Sequence, residues 1–77
     1  MGISVVIPAY NEEKYIDKVL EVVVQVPVLQ EIIVVNDGST DHTAEVVKRY
    51  PVKLINLPEN MGKGGAMLKG AQEAQGE

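Results

Sequence analysis

The sequence predicts an α/β fold built on a parallel sheet, with its elements in the order β-α-β-α-β-α. Three observations lead there. Ile3-Ser4-Val5-Val6-Ile7 and Ile32 to Val35 have the near-continuous apolar character of strands covered on both faces. Apolar residues between them recur at helical period. The strands also stop abruptly at polar, glycine-containing segments, as strands do when they deliver side chains to the end of a sheet where ligands bind. Strand alternating with helix implies parallel pairing and right-handed crossovers.

Each element has its own signals. Ile3 to Ile7 is the first strand, stopped by Pro8. Asn11 is placed to cap the helix that follows, with Glu12 and Glu13 in its positive first turn. Tyr15, Ile16, Val19, Leu20, Val23 and Val24 then form one apolar stripe, read as core and not as a membrane or partner helix, which Pro27 ends. Glu31 to Asn36 is the second strand. Ser39 or Thr40 caps a second helix running to about Tyr50, with Ala44, Val47 and Tyr50 facing inward and Lys48 and Arg49 near its negative end. Pro51 breaks it, and Val52 to Leu57 is the third strand. A glycine-rich turn, Asn60 to Gly65, opens a third helix from about Gly64 to Gln75, with Ala66 or Met67, Leu68, Ala71 and Ala74 expected inside.

Composition narrows the function classes. A chain of 77 residues makes one small domain at most, and 45% hydrophobic with 23% charged residues is the balance of a soluble globular chain. There is no cysteine and the single histidine is His42, so a disulfide framework and a zinc site are both excluded. That absence is compatible with a cytoplasmic location. A net charge of −4 without a basic face excludes a nucleic-acid partner. No run approaches the roughly 20 apolar residues of a membrane span, and the apolar opening lacks the basic leader and cleavage site of a secretory signal.

Parallel strands bring their carboxyl ends to one rim, and all three ends here carry polar residues: Pro8-Ala9-Tyr10-Asn11-Glu12, Asp37-Gly38-Ser39 and Asn60-Met61-Gly62-Lys63-Gly64. The set suits a nucleotide. A carboxylate such as Asp37 accepts hydrogen bonds from a base N–H or ribose hydroxyls, Tyr10 offers a packing face, and Lys63 offsets phosphate charge. Singly, each has a plainer reading: Asp37-Gly38 as a turn, Asn11-Glu12 as a helix cap, Gly62-Lys63-Gly64-Gly65 as a loop. That last segment lacks the Ser or Thr of a phosphate-binding loop and the spacing of a dinucleotide fingerprint. His42 reads as a surface residue and Asp41 as a helix-start charge.

Taken together and in order, Ile7-Pro8-Ala9-Tyr10-Asn11-Glu12-Glu13, Val35-Asn36-Asp37-Gly38-Ser39-Thr40-Asp41 and Asn60-Met61-Gly62-Lys63-Gly64-Gly65-Ala66 resemble the successive signatures of the family 2 inverting glycosyltransferases. The dolichyl- and polyprenyl-phosphate sugar transferases are the most similar subgroup. The resemblance implies a GT-A fold, a Rossmann-like α/β sandwich binding a nucleotide-diphosphate sugar. By match, Pro8, Tyr10 and Glu12 would line the nucleoside pocket and Asp37 would hydrogen-bond the base. Val35, Gly38 and Ser39 would shape the wall, and Gly62 and Lys63 would lie on the base or ribose side. Asn36 stands where the family more often has a second aspartate, a change expected to matter little.

The resemblance also implies parts that the chain does not contain. In the family a Gly-Glu or Gly-Asp step leads to a fourth strand ending in Asp-x-Asp, which holds Mg²⁺ or Mn²⁺ on the diphosphate. Ala74-Gln75-Gly76-Glu77 looks like that step. Residues 1–77 are therefore expected to be the N-terminal, donor-binding part of one catalytic domain truncated before its fourth strand, with no catalytic residue or metal site of its own and no activity alone. A three-stranded sheet with an apolar edge agrees. An acidic rim of Glu12, Asp37 and Asp41 with only Lys63 nearby would need a divalent cation to hold a diphosphate. The implied partners are a UDP- or GDP-linked sugar and a polyprenyl-phosphate or saccharide acceptor at a membrane's cytoplasmic face. A non-catalytic α/β nucleotide-binding or regulatory module is the alternative. A sugar-phosphate nucleotidyltransferase ranks below both, because Pro8-Ala9-Tyr10-Asn11 is not an arginine-containing phosphate loop.

Overall fold

A computed structural model describes residues 3–74. Its elements are β1 (Ile3–Ala9), α1 (Ile16–Val23), β2 (Leu29–Asp37), α2 (Thr43–Val47), β3 (Lys53–Leu57) and α3 (Gly62–Glu73). The strands form one parallel sheet in the order β1-β2-β3. The central strand, β2, is the most apolar. Ile33, Val34 and Val35 are wholly buried, as the unbroken run of branched residues requires for a strand covered on both sides.

Each face of the sheet carries its own core. On one face Ile16 and Leu20 of α1, Val46 and Val47 of α2, and Val34 and Ala9 pack together, with Ile7 and Leu54 beside them. On the other, Ile33, Val35 and Leu57 pack against Ala66 of α3, with Val6 and Ile55 beside them. The register sorts the residues between the two cores: Ile7, Val34 and Leu54 are neighbours across the strands, as are Pro8, Val35 and Ile55.

Several expectations need correction. Asn11 is not a helix cap. It adopts a left-handed conformation (φ 51°), and α1 starts only at Ile16, after a turn in which the Tyr15 and Ile16 N–H groups donate to the Glu12 carbonyl. The α1 stripe is split: Ile16 and Leu20 are buried, whereas Tyr15 and Val19 are exposed. α2 is a short helix beginning at Thr43, capped by neither Ser39 nor Thr40, and its buried residues are Thr43, Val46 and Val47. Lys48 and Arg49 lie beyond its end.

α3 starts two residues earlier than expected and ends at Glu73. Gln75 and the Gly76-Glu77 step lie outside the described residues. Met67, Leu68 and Ala71 are exposed, and the inward positions are Ala66 and Gly70. A Cβ on Gly70 would sit 2.2 Å from Val6 Cγ1 and 3.1 Å from Val35 Cγ2. The helix lies so close to the sheet that only glycine fits there.

Candidate functional site

The carboxyl ends of the strands enclose a pocket of about 220 Å³, lined by Pro8, Ala9, Tyr10, Glu12, Asp37, Asn60, Gly62 and Lys63. Six residues singled out from sequence are on that wall: Pro8, Tyr10, Glu12, Asp37, Gly62 and Lys63. Val35 is not. It is wholly buried two residues below Asp37, in the core that α3 covers. Gly38 and Ser39 do not line the pocket either. Gly38 has φ 71°, and a Cβ there would come within 2.5 Å of the Asn60 backbone nitrogen, so this glycine lets the β3–α3 loop close against the end of β2. Ser39 turns its hydroxyl away to accept the Asn11 N–H at 2.9 Å. Ala9 and Asn60 complete the lining and were missed; both stood inside segments already marked as polar strand ends.

Asp37 is almost fully buried, at 3% exposure. Its Oδ1 accepts the Met61 N–H at 2.7 Å and so ties the end of β2 to the start of α3. Its other oxygen has no hydrogen bond from any described residue, yet no fully buried side-chain polar atom among them lacks a partner. That oxygen therefore opens on the pocket. Asn60 Oδ1 accepts the Gly62 N–H at 3.0 Å, so these two side chains hold two N–H groups where α3 begins. Gly62 itself takes φ 81°, a conformation that glycine adopts without strain.

Asn36 faces the side opposite Asp37. Its amide donates to Asn56 Oδ1 at 2.9 Å in the neighbouring strand, and its own oxygen accepts the Ser39 N–H at 3.2 Å. It thus braces the β2–α2 turn and does not line the pocket.

The β1–α1 loop is locked to the β2–α2 segment. Ser39 Oγ, Thr43 Oγ1 and Asp41 Oδ2 accept the successive N–H groups of Asn11, Glu12 and Glu13 at 2.9, 2.9 and 3.3 Å. Asn11 Oδ1 accepts the Thr40 N–H at 2.8 Å in return. Asp41 Oδ1 also accepts the Thr43 N–H at 3.0 Å and the Thr43 hydroxyl at 2.5 Å. Partial burial alone would raise the Asp41 pKa, but the Thr43 hydroxyl and N–H and the Glu13 N–H outweigh it and hold the carboxyl below its ordinary value. Asp41 is thus engaged with protein donors and, contrary to expectation, does not line the pocket's acidic rim. His42 is on the surface between Glu13 and Glu45, 3.6 and 3.7 Å away.

Glu12 and Asp37 are the carboxylates of the pocket, and Lys63 its one cation, with no ion pair to any described residue. No group of three or more His, Cys, Asp or Glu able to hold a metal ion occurs among the described residues. No helix among them is long and apolar enough to cross a membrane.

A pocket at the carboxyl rim of a parallel sheet, with one buried acid reaching into it, stands where open α/β folds place their ligands. The chain belongs to glycosyl transferase family 2, whose model matches residues 4–77. It is 42% identical over 97% of its length to a dolichyl-phosphate beta-glucosyltransferase of Trichomonas vaginalis, and covers 27% of that protein. It is 36% identical over 95% of its length to a 4,4'-diaponeurosporenoate glycosyltransferase of Staphylococcus aureus, covering 21% of it. Among solved structures, S. aureus TarS superposes on the whole chain with a TM-score of 0.89 at 33% identity, the chain covering 25% of that structure. Glucosyl-3-phosphoglycerate synthase from Mycobacterium tuberculosis, in complex with Mn²⁺, UDP and glucosyl-3-phosphoglycerate, superposes on 97% of it with a TM-score of 0.84 at 31% identity. The chain covers 30% of that synthase. The three strands and their helices are thus the GT-A arrangement that the motifs implied, and the chain spans only about a quarter of the length of these proteins.

Proposed function

We propose that the pocket is the nucleotide half of a donor site, and that the protein carrying it transfers a sugar, with inversion, from a UDP-sugar to a polyprenyl-phosphate or related lipid acceptor at the cytoplasmic face of a membrane. On this reading residues 1–77 are part of one larger catalytic domain. The observation that carries it is the single open oxygen of Asp37 at the base of a pocket walled by Tyr10 and Lys63.

Two observations support uracil as the base. With Oδ1 engaged by the Met61 N–H, the other Asp37 oxygen is the acceptor most directly offered to a base. Uracil presents one imide N–H, which one acceptor satisfies. Guanine presents two adjacent N–H donors, which pair best with both oxygens of one carboxylate, and here one of the two is already engaged. The UDP in the mycobacterial synthase supports the choice, and the lipid words in the names of two relatives support the acceptor class. Tyr10 would pack against the base and Lys63 would offset phosphate charge.

The metal is a different case. Mn²⁺ accompanies UDP in the synthase, but the described residues do not form a set that fits such an ion. Its ligands would come from outside them, and no step performed by these residues runs through it.

Calorimetric titration with UDP and with GDP, comparing wild type with Asp37→Asn, tests the reading. The asparagine retains a carbonyl for the Met61 N–H and replaces the open acceptor by a donor. UDP should bind more tightly than GDP, and Asp37→Asn should weaken UDP about tenfold or more with little change in melting temperature. Equal UDP affinity in wild type and variant would remove Asp37 from the site.

A further inference from the structure

Thr43 had no place in the sequence reading of the pocket, yet it is one of the most buried residues, with no exposed surface. Its hydroxyl is used twice: it accepts the Glu12 N–H and donates to Asp41 Oδ1, while Asp41 Oδ2 takes the Glu13 N–H. The left-handed Asn11 turns the N–H groups of residues 11–13 toward the β2–α2 segment. Successive amides presented in this way form a concavity suited to an anion. Here side-chain oxygens fill it. Two residues of the same loop, Tyr10 and Glu12, line the pocket.

We propose that Thr43 and Asp41 are positioning residues for the donor pocket, setting where the β1–α1 loop presents Tyr10 and Glu12 to the nucleotide. The inference rests on the reading of the pocket as a donor site. Neither residue lines the pocket, so neither acts by contact. Loss of the Thr43 hydroxyl leaves the Glu12 N–H without its acceptor, and the loop must move to satisfy that donor elsewhere. The movement displaces Tyr10 and Glu12 together. Asp41 acts through Thr43 and through Glu13, and its loss has the smaller consequence because the Glu12 bond survives.

The test measures UDP affinity and melting temperature in the full chain for wild type, Thr43→Val, Thr43→Ser, Asp41→Asn and the core variant Val46→Ala. Valine preserves shape without the hydroxyl, and serine preserves the hydroxyl. Val46→Ala reports what destabilisation alone does, from a core position that does not line the pocket. Thr43→Val should weaken UDP binding about tenfold, and Thr43→Ser should restore it to within about twofold. Val46→Ala should lower the melting temperature at wild-type affinity. Wild-type affinity in a folded Thr43→Val overturns the inference and leaves the donor site standing. Absence of UDP binding to wild type overturns both. Should Thr43→Val not fold, Asp41→Asn decides: a loss of about threefold supports the proposal, and unchanged affinity refutes it.

Discussion

The two faces of the sheet are packed in opposite ways. On the α1–α2 face the core is made of large side chains, Ile16, Leu20, Val34, Val46 and Val47, contributed by the helices as well as by the sheet. On the α3 face the helix contributes Ala66 and Gly70, and the bulk comes from the sheet, from Val6, Ile33 and Val35. The first face gains stability from apolar area, the second from close approach. The difference bears on the site. The helix that must come close is the one whose first residues, Gly62 and Lys63, line the pocket, and Asp37 reaches its Met61 N–H only because α3 lies tight on the strands.

The faces should therefore break in opposite directions, one by subtraction and the other by addition. The largest effect is expected from Leu20→Ala. This wholly buried side chain lies between α1 and the sheet, and its removal should cost about 2–5 kcal/mol in a denaturant titration. A loss below that range would mean that the α1 face is looser than its contacts imply. Gly70→Ala comes next. In an ordinary helix interior the change stabilises by up to about 1 kcal/mol, but here the new methyl meets Val6 Cγ1 and the net effect should be a loss of about 1–3 kcal/mol. Adding Val6→Ala removes the colliding methyl, so the double variant should lose less than the sum of the single ones. Stabilisation by Gly70→Ala alone would refute close approach as the principle of that face.

The sequence disclosed one face better than the other for the same physical reason. Large apolar residues at strand or helix period announce their burial, so β2 and the inward residues of α1 were legible. A glycine in a helix reads as weakness, and Gly70 acquires its meaning only from Val6, which lies at the opposite end of the chain. On the rim, polar residues interrupting apolar runs marked Asp37, Tyr10 and Lys63. Their individual partners were hidden. Thr43, beside the exposed His42, carries no signal of its own in the sequence, and the partner of its hydroxyl is the Glu12 N–H, 31 residues earlier in the chain. Val35, which the resemblance assigns to the pocket wall, lies in the core instead. Two residues along a strand return to the same face but one layer deeper.

The faces also differ in what pH can do to them, and this is the smallest expected effect. On the α1–α2 face the Tyr50 hydroxyl donates to the Asp17 carboxylate and lies 3.1 Å from the Asp17 carbonyl oxygen, joining the end of the α2 segment to α1. That hydrogen bond, with burial and the charges of Asp17 and Glu21, raises the Tyr50 pKa above its ordinary 10.0. The contribution is therefore fully present below pH 10.0 and disappears as pH rises through the folded value. Asp41 behaves in the opposite sense. Its pKa in the fold lies below the ordinary 3.8, so its contribution is present above pH 3.8 and is lost as pH falls through the folded value. Melting temperatures across the pH range should show Tyr50→Phe losing the alkaline part of this dependence and Asp41→Asn the acid part, each with a smaller change at neutral pH than Gly70→Ala. The α3 face has the exposed Lys53–Glu73 pair, N to O 3.4 Å, and Lys53→Gln should shift stability by no more than about 0.5 kcal/mol. If Lys53→Gln altered the pH profile as much as Tyr50→Phe, the ties that answer to pH would be shared between the faces, and close approach alone would not set the α3 face apart.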